Sequence, residues 1–272
     1  ARAHWADREF WVVDTGGWYK LCCPTSQLEK PVVTGAIYRV RRRDTPQLSD
    51  PRGFRLAWDD VADDALAARL GDPRPTVAWR AVEQLAARAA TAPLAGVLTD
   101  GSFSEAARQR AVWGLARIDG PDARAAVRTA LGDAAAGVRQ AAAHVAGLHR
   151  DASAVSALTT LLDGDAAAVA RAAAEALGRI GGEAAVAAVL TACEQPHGRM
   201  MEHTLIHALI ESASTAALEE ALAAVSPGVR RAAMVALDQR PLRHAEAEHT
   251  DDAPLREAAL AAATDPAPRL RE

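Results

Sequence analysis

An alanine-rich phrase recurs along most of the chain at intervals of about thirty residues. Seven such phrases begin at Val77, Ala107, Val138, Val169, Met201, Val229 and Leu255. A period of 20–50 residues indicates a stacked array in which each repeat is one supersecondary unit. About thirty residues are enough for two short helices and their connections.

Within each phrase the apolar residues recur at helical spacing. In the fourth phrase Val169, Ala173 and Leu177 fall on one helical face, whereas Arg171 and Glu175 point elsewhere. The segments between phrases carry a second apolar stripe, which in three of them is predicted to include Val155, Leu158, Leu161 and Leu162; Val186, Val189, Leu190 and Cys193; and Leu218, Leu222 and Val225. Helices this short are stable only when each packs against its neighbours. The sequence therefore predicts a mainly α fold, a right-handed α-solenoid of about six to seven helix pairs.

The first part of the chain has a different composition. Eight of the eleven aromatic residues precede residue 59. The stretches EFWVVD and GAIYRVRRR read as β-strands, and the Pro-, Ser- and Asp-containing stretch DTPQLSDPRG reads as a linker. We therefore expect a β segment at 1–46, a linker at 47–58 and the helical array at 59–272. Two strands are too few to be stable alone. Because the chain also starts with Ala1 rather than Met, we expect it to be a piece of a longer protein.

The charge and hydropathy patterns argue against two classes of partner. Residues 1–50 hold eight basic and six acidic side chains, which leaves 23 basic and 29 acidic ones for the array. A nucleic-acid-binding surface is usually basic, so we expect no nucleic-acid partner. No stretch has the roughly 18 apolar residues of a membrane span. The one basic run, from Arg39 to Arg43, is interpreted as a solvated strand end.

The phrases resemble HEAT repeats of the short variety found also in phycobilisome-lyase-like proteins. Such repeats commonly place an Asp six residues before an Arg, and the resemblance implies a ladder of these pairs between neighbouring repeats. The spacing occurs at Asp133 and Arg139 and again at Asp165 and Arg171. The second repeat departs from it, with a serine near Arg108. The resemblance covers about residues 56–265 and implies a fold rather than a function.

A second resemblance concerns the β segment. The stretch VVDTGGWYKLCCPTSQLEKPVVTGAIYRVRR is similar to the last β-propeller blade of bacterial membrane-bound dehydrogenases related to glucose/sorbosone dehydrogenases, which occur in planctomycete-type organisms. In that family HEAT-like repeats follow the propeller, and often a c-type cytochrome follows them. The resemblance implies an exported, periplasmic location. It places quinone and haem c cofactors in other regions of the parent protein, so we expect no cofactor in this part of it.

The adjacent cysteines Cys22 and Cys23 lie inside this stretch. An ordinary disulfide needs Cα atoms about 4.4–6.8 Å apart, whereas adjacent residues joined by a trans peptide are about 3.8 Å apart. A bond between them would close a strained and easily reduced ring. A vicinal disulfide, two free thiols, and one cysteine paired with another region all stay open. The exported location implied by the resemblance favours the disulfide.

The strongest metal-site candidates are Cys193, His197, His203 and His207. His203 and His207 are four residues apart on one predicted helix, a spacing that lets two imidazoles share a metal ion, and Glu211 continues the row. However, Cys193 falls on an apolar stripe, where cysteine commonly acts as a small hydrophobic residue, and the row lacks the HExxH pattern. We therefore expect no metal site.

The remaining candidate side chains do not indicate a catalytic site. No set of residues forms a recognisable nucleophilic triad, acid–base pair or phosphate loop, so we expect no catalytic and no cofactor-binding residues. Trp79 and Trp113 lie inside repeat phrases and are expected to pack in the core, with an exposed recognition patch as the alternative.

The function that these patterns favour is a non-catalytic interaction or scaffold module. Its partner would be another protein or neighbouring domains of the same chain. One alternative is a structural part of a sugar or alcohol dehydrogenase that the parent enzyme needs for activity. The other is a HEAT-like nucleic-acid-binding protein, against which the acidic array argues.

Overall fold

The computed structural model describes residues 9–14, 34–41 and 48–239 of the chain. The chain divides into two compact units, residues 1–85 and 86–272. The cysteine pair Cys22–Cys23 and the seventh phrase, which begins at Leu255, lie outside the described residues. No helix within the described ranges combines the length and apolar composition that a membrane span requires.

The two predicted strands are present in the first unit. Strands β1 (Glu9–Asp14) and β2 (Ala36–Arg41) pair antiparallel, and their register sets Val12 opposite Tyr38 and Val13 opposite Ile37. Because successive residues of a strand face opposite sides, the two pairs lie on opposite faces of the hairpin. All four side chains are at least half exposed, from 50% for Val12 to 67% for Ile37.

The described part of the predicted linker, residues 48–58, is a packed turn. Gly53 has a φ of 68°, and a Cβ atom on it would lie 2.9 Å from Cγ2 of Val77. The buried indole of Trp58 donates a 2.8 Å hydrogen bond from Nε1 to the Gly53 carbonyl. The carboxylate of Asp50 accepts two backbone N–H bonds of 2.9 and 3.0 Å. The turn requires glycine at position 53, because only glycine adopts this φ readily.

Twelve α-helices lie in the described residues, arranged in pairs. The first pair is α1 (Asp63–Ala68) and α2 (Pro75–Ala87). The others are α3 (Thr91–Thr99) and α4 (Glu105–Leu115), α5 (Pro121–Ala130) and α6 (Ala136–Leu148), α7 (Val155–Gly164) and α8 (Ala167–Ile180), α9 (Glu183–Ala192) and α10 (Arg199–Ser212), and α11 (Thr215–Leu222) and α12 (Pro227–Gln239).

In the second unit these pairs stack in chain order. Each odd-numbered helix from α3 onwards contacts the even-numbered helix that follows it. The even-numbered helices also contact one another in succession, α4 with α6, α6 with α8, α8 with α10, and α10 with α12. We call these five helices the second-helix layer. The predicted fold class, a mainly α repeat array of helix pairs, is confirmed.

Burial follows the predicted helical period. Val169, Ala173 and Leu177 are buried in α8, whereas Arg171 and Glu175 on the same helix are not. The second stripe is also buried in α7 and α9, including Leu158 and Val189. The prediction was wrong for Val225, which is 96% exposed. Helix α11 ends at Leu222, so Val225 lies in the connection beyond the helical period.

Candidate interaction groove

In the second-helix layer, arginines at a fixed helical position join α4 to the repeat of α6 and α6 to the repeat of α8. The fourth residue of α4 and of α6 is arginine, Arg108 and Arg139. Arg108 binds both carboxylate oxygens of Asp133, at 2.7 and 3.1 Å, and Arg139 binds both oxygens of Asp165, at 2.5 and 2.6 Å. Each arginine thus pairs with an aspartate that precedes the second helix of the next repeat. Bidentate pairs of this kind fix geometry as well as add energy.

Of the predicted ladder residues, the structure brings together Asp133, Arg139 and Asp165, but Arg171 lies elsewhere. Asp133 stands two residues before the N-cap of α6, whereas Asp165 stands immediately before the N-cap of α8. The same spacing of six therefore reaches the fifth residue of α8 instead of the fourth, which is Ala170. One residue turns the side chain by about 100° around the helix axis, so Arg171 points away from the ladder.

Two further ion pairs join consecutive repeats in the second unit. Arg128 on α5 donates to Asp151, a buried aspartate before α7, at 2.6 Å. On the second-helix layer, Arg231 of α12 pairs with Glu202 of α10. Sequence reasoning missed both pairs. Their partners are 23 and 29 residues apart and recur at no constant spacing, so no motif marks them.

The Arg139–Asp165 pair makes stability depend on pH. The hydrogen bonds from Arg139 hold the pKa of Asp165 below its ordinary value of 3.8, despite the opposing effect of burial. A carboxylate whose pKa is lower in the folded state stabilises that state above the unfolded pKa. This stabilisation is lost as the pH falls through the folded value. The relevant window therefore lies below about pH 4.

Asp165→Asn should lower the free energy of unfolding at pH 7 by about 1.5 kcal/mol, because it leaves the Arg139 guanidinium without its charged partner. The difference from wild type should shrink as the pH falls below about 4, because the wild-type carboxylate then also becomes neutral. Urea unfolding at pH 7 and at pH 3 measures this. Asp163→Asn removes an exposed carboxylate two residues away and serves as the control. Equal effects of the two variants at pH 7 would contradict the role given to the pair.

Beside the ladder, two further helical positions form rows across the second-helix layer. The fifth residues are Gln109, Gln140, Arg171, His203 and Arg231, and the ninth residues are Trp113, His144, Glu175, His207 and Val235. None of these ten side chains is fully buried. Because residues four apart lie on one helical face, each helix contributes two neighbouring side chains to the same surface. We call the part of this surface on α4, α6 and α8 the interaction groove.

The interaction groove contains a cavity of about 290 Å³. Its polar and aromatic lining is supplied by Gln109, Trp113, Gln140, His144, Arg171 and Glu175. The rings of Trp113 and His144 touch across α4 and α6, with centroids 5.7 Å apart and planes inclined by 58°. The amide of Gln109 donates to the Gly137 carbonyl at 3.3 Å, and its oxygen can accept a hydrogen bond.

The charges in the groove are distributed unevenly. The carboxylate of Glu175 is bound by Arg179, one turn further along α8, at 2.6 Å. Arg171 is exposed and has no hydrogen-bond or ion-pair partner among the residues that the structure describes. The groove thus presents one guanidinium whose donors are available to a ligand.

The candidate metal ligands lie in different surroundings. His203 and His207 are exposed on α10, with ring centroids 6.5 Å apart, and His207 lies 4.0 Å from the Glu211 carboxylate. The His197 ring is bonded through Nε2 to the Ala192 carbonyl at 2.8 Å. Within the described parts of the chain, no group of three or more His, Cys, Asp or Glu side chains is placed to hold a metal ion.

Cys193 is buried beside a second, larger cavity of about 440 Å³ between the last two described repeats. Burial raises the pKa of its thiol to about 12, and the nearby Glu202 charge adds to the effect. The thiol is therefore protonated at neutral pH, whereas metal binding and nucleophilic attack need the thiolate. Cys193 is a packing residue, as its place on the apolar stripe indicated.

The two tryptophans of the array are less buried than expected for core residues. Trp79 is 42% exposed on α2, so the prediction was wrong for this residue. Trp113 is half-buried, because one side of its ring lines the interaction groove. Helical spacing alone did not separate these positions from core positions, since both are adjacent to residues that are fully buried.

The sequence profile of HEAT repeats matches residues 63–143, 91–175 and 130–210 of the chain. These matches together span more than half of it. The chain belongs to the HEAT-repeat family. No curated protein sequence matches this HEAT-repeat chain significantly.

Several solved structures are similar to parts of the HEAT-repeat chain at low sequence identity. The CpcE–CpcF complex of phycocyanin lyase from Nostoc sp. PCC7120 is 20% identical, with 85% of this chain and 94% of that chain covered and a TM-score of 0.47. Human deoxyhypusine hydroxylase is 24% identical, and the match covers 54% of this chain and 60% of that enzyme, with a TM-score of 0.41. The match therefore spans less than two thirds of the enzyme. A designed armadillo repeat protein in complex with the peptide (KR)4 is 18% identical, and the match covers 66% of this chain and 100% of the designed protein, with a TM-score of 0.44.

Proposed function

We propose that this chain is a non-catalytic protein-interaction module and that the interaction groove on α4, α6 and α8 is its binding face. The observation that carries the proposal is the repetition of half-buried or exposed polar and aromatic side chains at equivalent positions of consecutive helices. Such rows do not contribute to the core, and they present regularly spaced contacts to a partner that lies across the layer. Extended surfaces of this kind are the usual binding surfaces of helical repeat proteins.

The side chains of the groove suit recognition better than chemistry. The Trp113–His144 pair gives a half-buried aromatic wall, and tryptophan is enriched among residues that dominate interface energies. The amides of Gln109 and Gln140 can donate to and accept from a polypeptide backbone. Polar groups of this type fix the orientation of a partner, while the aromatic wall supplies buried area.

We extend the proposal to the larger protein: the chain is the C-terminal part of an exported, dehydrogenase-like protein. The resemblance of residues 12–42 to a last propeller blade supports this, and so does the hairpin itself. The hairpin exposes four apolar side chains, two on each of its faces. Strands that are apolar on both faces are typical of sheets that are covered on both sides, so the hairpin suits a place inside a larger structure. In this proposal quinone and haem c belong to other regions of the parent, and the HEAT array binds those regions or a separate protein.

Site-specific photo-crosslinking tests the binding face. A photoreactive phenylalanine analogue replaces Gln140 in the groove in one variant and Ala157, exposed on α7, in the other. In the native host we expect the Gln140 variant to capture one polypeptide reproducibly. An excess of unmodified protein should compete for it, and mass spectrometry identifies it as another region of the parent or a separate protein.

The Ala157 variant is the matched control, because both positions are solvent-accessible and differ only in the face that they occupy. Capture that is equal at both positions, or absent from the groove position, would overturn the assignment of the groove as the binding face. The dehydrogenase context has its own test, which is dye-linked oxidation by the parent protein with and without residues 47–272. Unchanged activity after this deletion would contradict a role of the array in the enzyme.

A further inference from the structure

We infer that the interaction groove recognises an extended peptide segment carrying a carboxylate side chain, and that Arg171 binds this carboxylate. The inference rests on the proposed function and goes beyond it by naming the chemistry of the partner. It starts from the change of register in α8, which moves an arginine out of the ladder and into the groove.

Because of the register change, the arginine of α8 occupies the fifth helical position, whereas the arginines of α4 and α6 occupy the fourth. In α4 and α6 the fourth residue is an arginine engaged by an aspartate, and the fifth is a glutamine. In α8 the fourth residue is Ala170 and the fifth is Arg171. The row of fifth residues therefore reads amide, amide, guanidinium from α4 to α8, with the cation at the end.

The surroundings leave the donors of Arg171 available. The nearest acidic residue on its own helix face, Glu175, is engaged by Arg179 at 2.6 Å. Arg171 and Gln140 both line the 290 Å³ cavity, and neither has a side-chain hydrogen bond within the described part of the chain. A guanidinium presents its donors in a fork that matches the two oxygens of a carboxylate.

The dimensions of the groove fit an extended segment. Packed helices lie about 8–10 Å apart, so the three helices α4, α6 and α8 span about 20 Å. An extended chain advances about 3.3 Å per residue, so about six residues cross the groove. The Gln109 and Gln140 amides then face the peptide backbone, and an apolar side chain next to the carboxylate can pack against Trp113 and His144.

The groove is less suited to a nucleic acid. Phosphate backbones are bound by several cations in a row. In the groove, the fifth and ninth positions of α4, α6 and α8 supply one arginine, one glutamate and no lysine. A single guanidinium next to two amides and an aromatic wall matches one carboxylate in a peptide.

Fluorescence anisotropy with labelled octapeptides tests the inference on the whole chain. The probes alternate glutamate with leucine, or lysine with leucine, and a single-stranded octanucleotide is the third. We expect the wild-type protein to bind the glutamate peptide at least tenfold more tightly than the lysine peptide. Arg171→Ala should weaken binding of the glutamate peptide about tenfold, because a hydrogen-bonded charge pair is lost, and Arg171→Lys should restore part of it.

Arg124→Ala is the matched control, since it removes a partly exposed arginine of α5 whose ion pair in the described part of the chain is with the exposed Asp119. It changes the net charge as Arg171→Ala does and should leave binding unchanged. An equal loss of affinity for the glutamate peptide in both variants would show that only the net charge matters, and it would overturn the inference. It would also be overturned by no binding of the glutamate peptide, by equal binding of both peptides or by tighter binding of the oligonucleotide. If Gln140 still captures a protein partner, the proposed function survives any of these results.

Discussion

Replacing Leu177 with alanine should lower the free energy of unfolding by about 2–5 kcal/mol. Leu177 lies in α8, the helix that contacts α6, α7, α9 and α10, and its side chain is fully buried. Removing three buried carbon atoms loses their transfer free energy and leaves a cavity that the neighbouring helices fill only in part. Urea unfolding followed by circular dichroism measures the change.

Leu148→Ala is the matched control for this substitution. Leu148 is the last residue of α6 and is 53% exposed, so the same chemical change should cost below about 0.5 kcal/mol. Similar losses in the two variants would show that the helical register of α8 is not the one described. Because repeat arrays are stabilised by contacts between neighbours, the loss at Leu177 should affect the central repeats first.

The helical array was predictable because periodicity is a property of the sequence itself. The apolar spacing in α8 identified Val169 and Leu177 as core residues, and both are buried. The strands were likewise recognisable from short apolar runs bounded by turn residues. These features depend on neighbours within ten or so residues, which a single sequence displays directly.

The ladder residues could be predicted only in part from their spacing in the sequence. A spacing of six residues from aspartate to arginine is the same at Asp133 and at Asp165, but the connections before α6 and α8 differ by one residue. The position of a side chain around a helix depends on where that helix begins, and helix starts are uncertain by one or two residues in a sequence. Arg171 therefore looked like a ladder residue and is a groove residue.

The interaction groove was not predictable for a related reason. Its rows consist of fifth and ninth helical residues of different repeats, and they share no residue type, since Trp113, His144 and Glu175 occupy equivalent positions. These residues are recognised as a row only when the helices are aligned by their first residues, which requires the structure. The same rows contain His203 and His207 on α10, which accounts for their spacing of four residues on an exposed face.

Replacing Gly178 with alanine should destabilise the protein by about 1–2 kcal/mol, although alanine is the better helix former. A Cβ atom on Gly178 would lie 2.7 Å from Cα and 2.8 Å from Cβ of Ala208, so α8 and α10 would have to move apart. Overpacking costs about 1–3 kcal/mol, and we expect the upper half of this range because the contacted atom belongs to the backbone of Ala208. The gain of about 1 kcal/mol in helix propensity offsets only part of this cost. Thermal and urea unfolding both report the net effect.

Gly96→Ala isolates the propensity gain, because Gly96 lies inside α3 and a Cβ built on it meets no described atom within 4 Å beyond its chain neighbours and the backbone of its own helix. It should stabilise the protein by about 0.5–1 kcal/mol, so the two identical substitutions should have opposite signs and differ by about 1.5–3 kcal/mol. A stabilising Gly178→Ala would mean that α8 and α10 are further apart than described. Gly147 approaches Ala176 in the same way between α6 and α8, with a Cβ-to-Cα distance of 2.8 Å. Gly147→Ala should therefore resemble Gly178→Ala, since the stacking of α6, α8 and α10 depends on the same close backbone approach at both interfaces.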